Sequence, residues 1–248
     1  IYNEQIVMPS FSGLDSINTI TFRSSTGNPE DVVIKYVPTT ANNFVVKFNE
    51  THNISFENMT VYSTTATNSV NNTTPGNVLV VENSRDLSFV GNIFRAKGLT
   101  LVKSKNTNAI TLNKTVTDVV FMNNLIDSSY VGILNNVVNV EDNISNIVIK
   151  NNNIKNFYYR GISFRKVANI DIVKNRVETG SFDAGKQLTG IYLTEHYGIF
   201  DVSQNIVNLI DNKNGLKQGI HIGVTTGTSI EPNRLYNNMV SVVGGATG

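Results

Sequence analysis

The nine residues NIVIKNNNI, beginning at Asn146, recur along the chain in altered form. NIDIVKNRV begins at Asn169, DVVFMNNLI at Asp118 and DLSFVGNIF at Asp86, with looser copies from Asn53, Ile199 and Pro232. Laid over one another they follow one rule: apolar at the second and fourth places, usually asparagine at the seventh, apolar at the ninth. The seventh places are Met59, Asn92, Asn124, Asn152, Asn175, Asn205 and Asn238, and successive copies start 23 to 33 residues apart. A unit of that length cannot bury an apolar face alone, so its repetition predicts a solenoid in which each copy covers the next.

A second strand-like piece precedes each asparagine unit: FVVKF (44–48), VLVVE (78–82), AITL (109–112), GIL (132–134), GISF (161–164), GIYL (190–193) and GIHI (219–222). Alternation runs at period two throughout, with no convincing helical period. An earlier, less regular turn spans QIVMP, NTITF and DVVIKY. The expected architecture is all-β: one right-handed parallel β-helix over residues 1–248, of about eight coils with three short strands each. Ile54/Phe56, Leu87/Phe89, Val119/Phe121, Ile147/Ile149 and Ile170/Ile172 are expected to stack as inward columns. The seventh-place asparagines are expected at one corner, taking the left-handed backbone of a tight bend and bonding amide to amide as a ladder.

Composition narrows the partners. A net charge of +1 over 248 residues, without a basic cluster, argues against nucleic acid, whose affinity comes from phosphate neutralisation. No apolar run approaches the length of a membrane span. With no cysteine there is neither a disulfide framework nor a thiolate metal site, and no cofactor motif occurs. The chain begins at Ile1 and ends in VSVVGGATG. It reads as a segment of something longer, its ends open to neighbouring domains or to copies stacking end to end.

Chemistry is sparse. Lyases on such a scaffold need clustered acidic Ca²⁺ ligands with a base, and hydrolases need converging carboxylates. Asp86, Asp118 and Asp171 instead occupy or adjoin the same strand-entry bend in different coils, which reads as structural. The strongest candidate face lies in coils six to eight, where the inward isoleucines of GISF, GIYL and GIHI leave Ser163, Tyr192 and His221 as an outward column. Tyr158, Tyr159, Arg160, Arg165, Glu195, His196 and Tyr197 surround it. Tyr159, Arg160, Arg165, Tyr192, Glu195, His196, Tyr197 and His221 form the candidate ligand-binding set, because sugars stack on aromatic faces flanked by hydrogen-bond donors. Glu195, His196 and His221 would also make a conceivable acid–base set. Insertions are expected at 63–76, 128–143 and 178–187, the first reading as a flap.

The stretch YNEQIVMPSFSGLDSINTITFRSSTGNPEDVVIKY, followed by NISFENMTV, resembles the right-handed parallel β-helix (pectin-lyase-like) repeat domains of very large secreted or surface proteins of gliding, type IX-secreting bacteria. The resemblance implies an extracellular or cell-surface home and an adhesive, spacer or polysaccharide-related role. It carries over no catalytic residue. The reading that follows is a non-catalytic β-helix touching polysaccharide or cell-surface glycan. A lyase or hydrolase acting on an acidic polysaccharide, and a filament subunit, are the alternatives.

Overall fold

The computed structural model describes residues 1–64, 75–96, 106–137, 142–182, 187–211, 215–223 and 232–244. Among the described residues every regular element is a strand, and all strands join one continuous sheet. It winds as a right-handed parallel β-helix, the hand that right-twisted strands impose on parallel crossovers.

The sheet has three faces. The first stacks Ile6–Met8, Val46–Asn49, the leading halves of Leu79–Val90 and Ile110–Met122, the trailing halves of Leu125–Asn136 and Asn153–Arg165, then Gln187–Thr194 and Leu216–Ile222. The second stacks Ile20–Arg23, His52–Glu57, the trailing halves of Leu79–Val90 and Ile110–Met122, then Ile144–Lys150, Val167–Val173, Tyr197–Ser203 and Arg234–Tyr236. The third stacks Val33–Tyr36, Thr60–Ser63, Ile93–Ala96, the leading halves of Leu125–Asn136 and Asn153–Arg165, then Arg176–Phe182, Ile206–Asp211 and Met239–Gly244. Eight strands on a face at the usual inter-strand spacing give a stack roughly 34 Å from first strand to last.

The register follows the repeat. Ile54, Leu87, Val119, Ile147 and Ile170 are successive partners, as are Phe56, Phe89, Phe121, Ile149 and Ile172. All ten are at most 2% exposed. The aromatic half of the column is tightly fitted, with the Phe89 and Phe121 rings stacked 5.0 Å apart. Each such side chain contributes about 1.5–3 kcal/mol by leaving water, and a coil's second and fourth places supply two of them.

The asparagine corner divides into two roles that the sequence reading had merged. The left-handed residue is the sixth place, not the seventh: Asn58, Gly91, Asn123, Asn151, Lys174, Gln204 and Asn237 have φ between 49° and 66°. The seventh-place residue then turns inward and is buried. Each amide oxygen from Asn92 to Asn238 accepts the backbone N–H of the equivalent residue one rung below, at 2.8–3.0 Å. Each Nδ2 from Asn92 to Asn205 donates to the next amide up, at 2.9–3.3 Å, and also to a backbone carbonyl in the rung below, such as Phe121 O from Asn152. Met59 ends the ladder at the bottom, giving its N–H to Asn92. The first-place residues Asn53, Asp86, Asp118, Asn146 and Asn169 are left-handed too. That accounts for Asp86 and Asp118, since short polar side chains bear this backbone at least cost.

Two expectations about loops change. Residues 128–136 belong to the strand Leu125–Asn136, and 178–182 to Arg176–Phe182, so both insertions are shorter than expected. Most of the first insertion, residues 65–74, lies outside the described residues. The ends of the rod also differ. Phe11 and Leu14 pack on the core at the first rung, and Tyr2 bridges to Ile34. At the last rung Leu235, Val240 and Val242 are 55%, 49% and 41% exposed, above Val202, Val207 and Leu209 at 1% or less.

Candidate functional site

The first face carries the candidate site. Its inward residues Ile133, Ile162 and Ile191 are fully buried, so alternation turns Leu134, Ser163, Tyr192 and His221 outward as register partners. A glycine precedes each isoleucine for a steric reason: a Cβ on Gly161 would stand 2.7 Å from the Gly190 carbonyl oxygen and strike Val177. The glycines let the chain swing closely from the third face onto the first.

Just before that swing the register slips. Ser129 pairs with Phe157 but Val131 pairs with Arg160, so Tyr158 and Tyr159 together oppose Tyr130. Such a bulge re-aims side chains. Here it sets both rings against Tyr130, at 5.7 and 5.4 Å between centroids. Burial, then the neighbouring tyrosines, push the Tyr130 phenol above its ordinary value, so it is a neutral hydrogen-bonding group at physiological pH.

Arg160 joins the two aromatic sets. Its guanidinium lies 3.5 Å from the Tyr192 ring centroid and 4.5 Å from that of Tyr159, within cation–π range. Nη1 donates to Ser163 Oγ at 3.2 Å, while Nε is buried without a hydrogen-bond partner. Above it Arg165 donates through Nε and Nη2 to Glu195 Oε1, both at 2.7 Å. That exposed pair adds little stability, but it fixes the orientation of both side chains.

These residues, with Asn135 and Asn136, line an open groove of about 670 Å³, a volume suited to a small ligand or part of a chain. Of the eight residues proposed from sequence, Tyr159, Arg160, Arg165, Tyr192 and Glu195 line it. His221 lies just beyond, its ring stacked on Tyr192 at 4.9 Å and its Nδ1 accepting from Gln218 Nε2 at 3.0 Å. Tyr197 is exposed on the second face, in register with Ala168.

His196 is a correction. It is fully buried, edge-on to Phe200 at 4.7 Å, with Nε2 3.1 Å from Gly198 O. Burial pushes its imidazole below the ordinary value. Glu195 is left-handed, with φ of 51°, and this resets the in–out alternation so that the next side chain points to the core. The Glu195, His196 and His221 set is therefore not convergent.

Sequence reasoning missed Tyr130, which it had placed inside a loop. A signal existed: Tyr130-Val-Gly-Ile and Tyr159-Arg-Gly-Ile share one pattern at the same point of consecutive coils. It also missed the pairing of Asp171 with Asp201, stacked in register on the second face below Arg234. Burial, then the Asp201 charge, raise the Asp171 carboxyl, and Asp201 Oδ1 is buried without a hydrogen-bond partner. Neither aspartate lines the groove. Among the described residues no three histidine, aspartate or glutamate side chains converge as metal ligands.

No family model and no curated relative matches the chain. Solved structures similar to it include the pectin methylesterase of Aspergillus niger, with 14% identity over 98% of this chain and 79% of that one and a TM-score of 0.48. Another is PfbA, a surface adhesin of Streptococcus pneumoniae, with 11% identity over 92% and 77% and a TM-score of 0.38. No residue role passes from either to this chain.

Proposed function

We propose that the chain is a glycan-binding β-helix, an adhesive or carbohydrate-recognising segment at an extracellular surface, which holds saccharide in the first-face groove without turning it over. The observation that carries this reading is the groove itself: Tyr130, Tyr159 and Tyr192 bring phenols and part-exposed rings to it, and Arg160 brings donors held in place by two of those rings. Aromatic side chains beside fixed polar groups suit a ligand that is part apolar and part hydroxylated. The one carboxylate among the described lining residues, Glu195, is engaged by Arg165, which supports binding over acid–base chemistry. The charge-poor composition, rich in amides and hydroxyls, suits the extracellular setting.

A glycan array followed by a degradation assay tests both halves. The expected result is selective binding with no product, weakened about tenfold or more by Tyr192→Ala, as for an aromatic anchor. Release of reducing or unsaturated sugars would replace the binding reading with a lyase or hydrolase. An array without hits would overturn it altogether.

A further inference from the structure

Below the tyrosine groove the first face carries a second hollow of about 250 Å³. It shares Asn108, Leu134 and Asn136 with the groove and adds Asn77, Asn106, Thr111 and Asn113. The two hollows are one track, because Thr111, Leu134, Ser163 and Tyr192 are successive register partners on adjacent rungs. Three rung spacings make that column about 14 Å long, parallel to the solenoid axis and longer than one sugar ring.

The lower part differs from the upper in chemistry. Its lining is amide, hydroxyl and one leucine, with no charged side chain among the described residues. Thr111 is only 5% exposed, yet its Oγ1 has no hydrogen-bond partner, and Asn113 Oδ1 is likewise buried and unpartnered. A buried polar group left unfilled costs roughly 1–3 kcal/mol. Thr111 takes a β-branched place where valine would fit the strand equally well. Its hydroxyl is therefore surplus to the fold, and Thr111 lines the hollow.

We infer that the ligand is a linear, neutral polysaccharide lying along the solenoid axis. One part lies against the tyrosines, and a further unit gives hydroxyl protons to Thr111 Oγ1 and Asn113 Oδ1. Hydroxyls match these sites because each is both donor and acceptor, whereas a carboxylate brings only acceptors to a lining that already has acceptors unfilled. The inference rests on the proposed glycan-binding function and adds the class and direction of the glycan.

Calorimetric titration with β-1,4-linked gluco-, manno- and xylo-oligosaccharides from disaccharide to hexasaccharide, alongside oligogalacturonates of equal lengths, tests it. The expected result is tightening with length in a neutral series. Thr111→Val should weaken the hexasaccharide about fivefold, the order of one net hydrogen bond, and leave the disaccharide unchanged, while Tyr192→Ala weakens both. Affinity flat with length, preference for the galacturonates, or a hexasaccharide indifferent to Thr111→Val would overturn the inference and leave glycan binding standing. Absence of any saccharide binding would overturn both.

Discussion

At the corner after the second face, Asn152 accepts from the N–H and Nδ2 of Asn124, donates through Nδ2 to Phe121 O and Asn175, and is 2% exposed. On the first face Asn113 holds a buried Oδ1 that accepts nothing, beside a buried Thr111 hydroxyl in the same state. Both regions put neutral polar groups on successive rungs of one scaffold. The difference is whether the next rung completes their bonding. Where it does, the polar group belongs to the fold; where it does not, unfilled capacity lines a hollow and is available to a ligand.

The largest effect that can break this contrast is at the corner. Asn152→Leu strands the buried Asn124 N–H and the Phe121 carbonyl at once, so unfolding by urea should show a loss of about 4 kcal/mol, two unsatisfied groups at the usual penalty. A loss below about 1 kcal/mol would mean the ladder is ornamental. The groove should answer with the opposite sign. Thr111→Val removes an unfilled hydroxyl and keeps the shape, so stability should rise by about 1 kcal/mol as affinity falls. A clear destabilisation would show that the hydroxyl serves the fold after all.

A smaller, pH-bound effect sharpens the boundary between the regions at His196. Burial holds the folded-state imidazole below its ordinary value of about 6.5, so the unfolded chain binds the proton more readily. Stability should therefore fall as pH drops through 6.5, and stop falling below the folded value. Denaturation midpoints measured against pH should show this slope, and His196→Gln should flatten it. An unchanged slope would place its origin elsewhere.

Much of the fold was legible because the solenoid writes its register into the sequence. Second- and fourth-place apolar residues and seventh-place asparagines recur, and identical places meet as partners. What stayed hidden depends on backbone sign or on distant rungs. In NIVIKNNNI nothing distinguishes Asn151, which bends the chain, from Asn152, which bonds inside it. His196 went astray because one left-handed residue, Glu195, reverses the alternation. Thr111, Leu134, Ser163 and Tyr192 share no residue type, so only the stacking unites them. The upper groove was half visible through its tyrosines; the lower had no signature.

Side-chain amide resonances test the central claim most directly, because both sets of groups report in one spectrum. On titration with the glycan selected by the array, the Nδ2 signals of Asn108, Asn113 and Asn136 should shift, while those of Asn124, Asn152 and Asn175 hold still. Saturable binding that leaves the groove amides unmoved, or moves the corner set instead, would contradict the account.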